Sequence, residues 1–331
     1  MAFTGGIPEN LTKDVRPAEL ATVTNEYHAV KPGQVGGIAY VDLRPYDFYG
    51  LYFPIPTAFP LRQTHYLLAN DTRFRQIVWS GFEADAEGTL SPYTVHKPGA
   101  TTIEQWYKGP LAPGTTMRLG ATQRTNDNLV LNVAEFLDSD REHAVDTFGQ
   151  AAATRIYRDG ELVAERSHAS GTVPVGVEKP ATYRVELDVT KGRPRWTVCT
   201  ESFTAWTFRS ARGPKDVPVA LPFLSAGLGP RPRPEQRGPS RQAVHAPAPA
   251  AAPGGRVPDP DQGREGLGLL HNDGGTWKRV NELRIGPDGY AGVIKHPAKV
   301  NTSGFVSLKV DITDRQGSRL EQTVIRAYAL K

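Results

Sequence analysis

The chain of 331 residues contains a single cysteine, Cys199, so it can close no internal disulfide and build no cysteine-rich metal site. The residue is expected as a buried thiol in the strand WTVCT. No run approaches the ~20 apolar residues of a membrane helix. The first residues, MAFTGGIPENLTKD, have neither a basic leader nor an apolar core. As written, the sequence predicts no export and a cytoplasmic stay, unless it is a piece of something longer. Helical periodicity is scarce. Charge of one sign is lacking too: 39 Lys and Arg are scattered among 35 Asp and Glu, and no basic stripe is interleaved with aromatics. Nucleic-acid binding is therefore not expected.

Reactive motifs are also missing. There is no G-x-S-x-G elbow, and the eight histidines show neither H-E-x-x-H nor H-x-x-x-H spacing. His28 in TNEYHA and His65 in QTHYLLAND are the two worth following, because aromatic and carboxylate residues adjoin both. Glu83 with Asp85, and Asp138 with Asp140, have the look of glycosidase carboxylate pairs, but alternate acids on a strand or loop more often face solvent. The same acids and Asp314 match no calcium loop closely. No catalytic residue, metal or cofactor is predicted.

What the chain does have is turns and alternation. With 33 Gly and 28 Pro it suits many short strands. Strands are predicted in ATVTNEYHA, GIAYVDL, THYLLAND and RFRQIVWSG, while the prolines of LYFPIPTAFP make it an edge strand. Asp159-Gly160 in ATRIYRDGELVAERS is the strongest hairpin signal, since both positions tolerate positive φ. In ATYRVELDV, Tyr183, Val185, Leu187 and Val189 point inward, as do Val306, Leu308, Val310 and Ile312 in GFVSLKVDI. Asp314 to Gly317 is a turn, and Gln322 to Tyr328 the returning strand.

The predicted fold is all-β, with two or three antiparallel sandwiches of immunoglobulin or fibronectin type. The divisions are a tail over 1–19, a sandwich or half-sandwich over 20–105, a second over 106–226, and a partial domain over 267–331. Between the last two, Gly227 to Glu265 is about two-thirds Pro, Arg, Ala and Gly, with no Ile, Phe, Tyr or Trp. Two readings stand for 227–266. One is a disordered linker with polyproline character. The other is a frameshifted patch, because these four amino acids have GC-rich codons. If the stretch replaces strands of the last sandwich, the last ~60 residues lack part of their sheet and expose an edge.

LHNDGGTW approximates the Asp-box turn, with Asn272 in the Asp position, Gly274 permitting the turn and Trp277 packing beneath it. Trp196, Trp206 and Trp277 are assigned to cores. Tyr46, Tyr49, Tyr52, Trp79, Trp106 and Tyr107 are the candidates for an exposed binding surface, against the commoner case of strand aromatics in the core.

TNEYHA, HYLLANDTRF, IYRDGELV, ATYRVEL, AWTFRS, NDGGTW, GFVSL and QTVIRAYAL resemble, in order, the region that follows the catalytic domain in large secreted subtilisin-like serine peptidases of GC-rich bacteria. The resemblance runs from about Leu20 to the end and fails across Gly227 to Leu269, where relatives carry strand-bearing sequence, which favours the frameshift reading. The D-[ST]-G, H-G-T and G-T-S-M-A strings of the catalytic domain do not occur. The resemblance therefore implies a non-catalytic accessory region that stabilises the peptidase or docks on substrate or envelope. The implied setting is extracellular, and the implied partners are the parent catalytic domain or an extracellular protein or glycan. The alternative is an independent carbohydrate- or envelope-binding module.

Overall fold

In the computed structural model, the described residues are 14–43, 54–82, 87–115, 120–138, 140, 142–146, 151–176, 179–191, 196–226, 229–231, 241–247, 266–272, 276–280, 282–284, 289–295 and 303–330. Apart from one short 3₁₀ turn, Pro17–Glu19, every regular element among them is a strand, as the alternation predicts.

The N-terminal half is a sandwich of two sheets. One is three-stranded, with Leu20–Tyr27 between Leu61–Leu68 and Thr101–Trp106. The second pairing is parallel, a departure from the all-antiparallel expectation. Opposite lies a sheet with Arg73–Trp79 and Val35–Leu43 at its centre and Ile55–Ala58 on one edge. Pro56 sits in that edge strand, where its missing N–H leaves no ladder bond unmade. Asn25 and Tyr27 reach across to Tyr40 and Gln76, and the Tyr27 ring stacks on Phe59 at 5.4 Å.

The C-terminal half is organised by an eight-stranded sheet in the order Glu161–Arg166, Ala151–Arg158, Ala181–Thr190, Glu201–Ser210, Arg319–Ala329, Phe305–Thr313, Gly266–Asn272, Lys278–Arg279. Asp159 and Gly160 turn the first hairpin at φ 51° and 89°. The inward positions Tyr183, Val185, Leu187, Val306, Leu308, Val310 and Ile312 are all buried, as expected. The outward charges form a ladder across four strands: Arg155 bonds Glu186 and Asp188, Arg184 bonds Glu186 and Glu321, and Arg319 bonds Glu321 and Asp311. Pairs this exposed are worth only about 0.5 kcal/mol each, so the ladder fixes register more than stability.

The strands expected as a partial domain at 267–331 share this sheet with earlier strands. Arg319–Ala329 pairs with Glu201–Ser210 over seven residues, from Glu201↔Ile325 to Thr207↔Arg319, so the last strands extend the sheet of the second sandwich. Nor does Phe305–Thr313 present a bare edge, because Gly266–Asn272 covers it. Within 227–266, Gly229–Arg231 and Arg241–Pro247 are strands, joined to Gly289–Lys295 and Glu282–Arg284 in a separate four-stranded sheet. Ladder bonds are made by the main chain, so a segment poor in large apolar residues can still pair. The rest of 232–265 lies outside the described residues. Cys199 is buried as expected, but in a bend rather than a strand, at φ 51°.

Candidate functional site

Two places in the N-terminal sandwich gather chemistry: its interior and the open face of its three-stranded sheet. Inside, Asn25 is fully buried yet satisfied, because its Oδ1 accepts the Trp106 indole N–H at 2.8 Å and its amide donates to the Tyr40 hydroxyl at 2.9 Å. Gln76 donates to the Tyr27 hydroxyl, which also lies 3.4 Å from His65 Nε2. Beneath Trp106, whose ring stacks on His143 at 4.1 Å, the loop after Ala134–Leu137 folds back. His143 Nδ1 donates to Asp138 at 2.9 Å, and Asp138 also accepts the backbone N–H groups of Tyr107 and Asp140.

Burial alone would lower the pKa of His143, but the charges of Asp138, Asp140 and Glu104 outweigh it and raise the net value. Burial also raises Glu104, with His143 opposing it. His143 is thus held towards the imidazolium, and a protonated ring stacked on indole gains a cation–π attraction. A histidine and an acid make a base, but nucleophilic catalysis needs a hydroxyl or thiol beside the other ring nitrogen. Asp140 lies 3.8 Å from His143 Nε2. Cys199 lies elsewhere: its sulfur accepts the Leu111 N–H at 3.2 Å, and burial pushes the thiol up to about 12, far from a reactive thiolate. Among the described residues no group of three or more His, Cys, Asp or Glu is arranged to hold a metal ion.

The outer face is different. Cross-strand register places Tyr66, Thr22 and Thr101 in one row, Thr64, Thr24 and Ile103 in the next, and Arg62, Glu26 and Gln105 in the third. Tyr66 and Ile103 are 67% and 61% exposed, far above what a buried sheet face would allow. Around them the polar groups are fixed: Thr24 and Thr64 hydroxyls meet at 3.2 Å, and Gln105 donates to Glu26 at 2.8 Å and accepts from Lys108 at 2.6 Å. A flat ring ringed by hydroxyl, amide and guanidinium groups can take a polyhydroxylated ligand, with the ring under its C–H face and the polar groups bonding its hydroxyls.

Of the sequence candidates, Tyr46, Tyr49 and Tyr52 lie outside the described residues. Trp79 is half-buried at the end of Arg73–Trp79. Trp106, paired with the buried Tyr27 on the inward face, and Tyr107 are both buried, and neither offers a face to a ligand. Trp196 and Trp206 are core residues, whereas Trp277, also assigned to a core, is 38% exposed, and the Asp-box-like turn at 273–275 lies outside the described residues. Asn272 ends the strand Gly266–Asn272, and Gly274 lies outside the described residues. Glu83 and Asp85 are also outside. Asp138 does not face solvent, its side chain being 1% exposed and spent on His143, whereas Asp140 is open. Asp314 accepts the Gln316 and Ser318 N–H groups and so shapes its own turn. The sequence reading favoured His28 and His65 over His143, although D-x-D-x-x-H over Asp138 to His143 was there to see; Tyr66 was missed beside His65. No protein-family model matches the chain, and no curated protein matches it.

Proposed function

We propose that the chain is a non-catalytic β-structured accessory region, of the kind that follows the catalytic domain of a secreted subtilisin-like peptidase, and that it docks on glycan through the face around Tyr66. The single observation that carries the docking role is the exposed Tyr66 ring set among the ordered polar rows of Thr22, Thr24, Thr64, Arg62, Glu26 and Gln105. Supporting the non-catalytic role, His143 is taken up by Asp138, and the arginines of the eight-stranded sheet are taken up by its acids. The parentage rests on the resemblance of the sequence segments alone. An independent glycan-binding module shares the same face, and the two readings differ only in whether a peptidase domain is encoded upstream.

The test pairs two measurements on the purified full chain. Casein and chromogenic glycosides should be turned over no faster than a buffer blank, and a panel of insoluble polysaccharides should retain the protein on at least one member. Turnover above the blank overturns the non-catalytic reading; passage through every polysaccharide overturns the docking one.

A further inference from the structure

Between the two halves lies a charged group that the proposed function does not use. Lys191 follows the strand Ala181–Thr190, and its Nζ donates to Glu87 Oε1 at 3.0 Å. Glu87 leads into Gly88–Leu90 of the N-terminal sandwich, 104 residues away in sequence. The two side chains are 4% and 5% exposed. Aromatic rings wall them in, with Nζ 4.2 Å from the centre of Phe136 and 5.1 Å from that of Trp196, against which Tyr107 packs edge-on. A second buried acid, Glu135, sits beside Phe136; the Ala169 backbone bonds it, its Oε2 has no hydrogen-bond partner, and its charge is felt by both Lys191 and Glu87.

One ammonium between two carboxylates in an apolar box is an expensive way to hold two sheets together. Burial lowers the pKa of Lys191 and raises those of Glu87 and Glu135, each shift favouring a neutral amine and neutral acids. An amine nitrogen held 3.0 Å from a carboxyl oxygen, with both side chains shut away from water, is placed for acyl transfer.

We propose that Lys191 and Glu87 condense in the folded protein to an amide cross-link, with Glu135 carrying the proton. The Nζ lone pair attacks Cδ of the protonated Glu87 carboxyl and forms the N–C bond. Glu135 takes a proton from the nitrogen and delivers one to a carboxyl oxygen, the C–O bond breaks, and water leaves. Nothing is oxidised or reduced, and no co-reactant is needed. A positioned intramolecular amine has an effective concentration of about 10⁵ M or more, which compensates for a poor leaving group. The bond would do between the two halves what a disulfide does elsewhere, in a chain whose single cysteine cannot make one. This inference is independent of the glycan face.

The experiment is mass spectrometry on the purified, denatured full chain. The expected mass is that of the sequence less one water. Peptide mapping should find a branched peptide joining Glu87 to Lys191, with trypsin no longer cutting after Lys191. The map is essential because dehydration at an Asp-Gly pair such as Asp159-Gly160 gives the same mass. Glu87→Gln should lose ammonia instead of water, and Glu135→Ala should keep its full sequence mass while retaining its far-ultraviolet β signal. A wild-type chain of full mass, cut normally after Lys191, overturns the proposal whatever the variants do. Bond formation undiminished in Glu135→Ala overturns the role given to that residue.

Discussion

The two halves are both built of strands, yet they are held in different ways. In the C-terminal half the buried positions of the eight-stranded sheet are almost all apolar: Ile156, Val185, Leu187, Phe208, Leu308, Val310 and Ile312. In the N-terminal half the corresponding space holds two hydrogen-bonded sets, Asn25 with Tyr40 and Trp106, and Tyr27 with Gln76, and His143 stacks on Trp106. Apolar contact is roughly proportional to area and indifferent to direction, whereas a buried polar network stabilises only when every member is satisfied. The first half is therefore the more specific and the more easily broken by a single polar change. The second tolerates conservative exchange but responds to lost volume.

The largest effect that sharpens this contrast is expected from Leu308→Ala, which empties a fully buried position on the long hairpin. A loss of about 3 kcal/mol is predicted, from the transfer of the side chain plus the cavity left behind, and urea unfolding followed by tryptophan fluorescence reads it. Next comes Asn25→Leu. The side chains are similar in size, so packing changes little, but the Trp106 N–H and the Tyr40 hydroxyl lose their partner in a buried site. A loss of about 2 kcal/mol is expected, and an effect below about 0.5 kcal/mol would show that the network is not needed.

The smallest effect is on pH. His143 is raised in the folded state relative to its ordinary value of 6.5, so it binds its proton more tightly folded than unfolded. Its contribution is fully present below pH 6.5 and is lost as pH rises through the raised folded value. Stability should therefore fall from mildly acid into alkaline solution. His143→Gln should flatten that slope, read from urea midpoints at a series of pH values. An unchanged slope would mean that the Asp138, Asp140 and Glu104 charges do not act on the ring.

Much of this was legible in the sequence where pattern is local. Period-two alternation placed Tyr183 to Val189 and Val306 to Ile312 on the buried face, and Asp159-Gly160 announced its hairpin through the two positive φ values it needs. What could not be read was which strands pair at a distance. Nothing in Gln322 to Tyr328 says that its neighbour is Glu201–Ser210, because ladder bonds are made by the backbone and carry no residue code. The composition break at Gly227 invited a domain boundary, and the sheet runs past it. Aromatic fate was illegible for a related reason: Trp106 and Tyr66 occupy flanking strands of one three-stranded sheet, on its two faces, and only register decides which is buried. The site around Lys191 draws on Glu87 and Glu135, both far from it in sequence, so no spacing could reveal it.

The central claim is that the chain docks on its ligand through an open sheet face. The most direct measurement is a binding isotherm on whichever polysaccharide retains the wild type, comparing Tyr66→Ala with Trp277→Ala. Both replace an exposed aromatic, but only Tyr66 lies on the three-stranded face. Removing the stacking ring should weaken retention about tenfold, equivalent to about 1.4 kcal/mol, while Trp277→Ala binds as the wild type does. Equal affinity for the wild type and Tyr66→Ala would contradict the account.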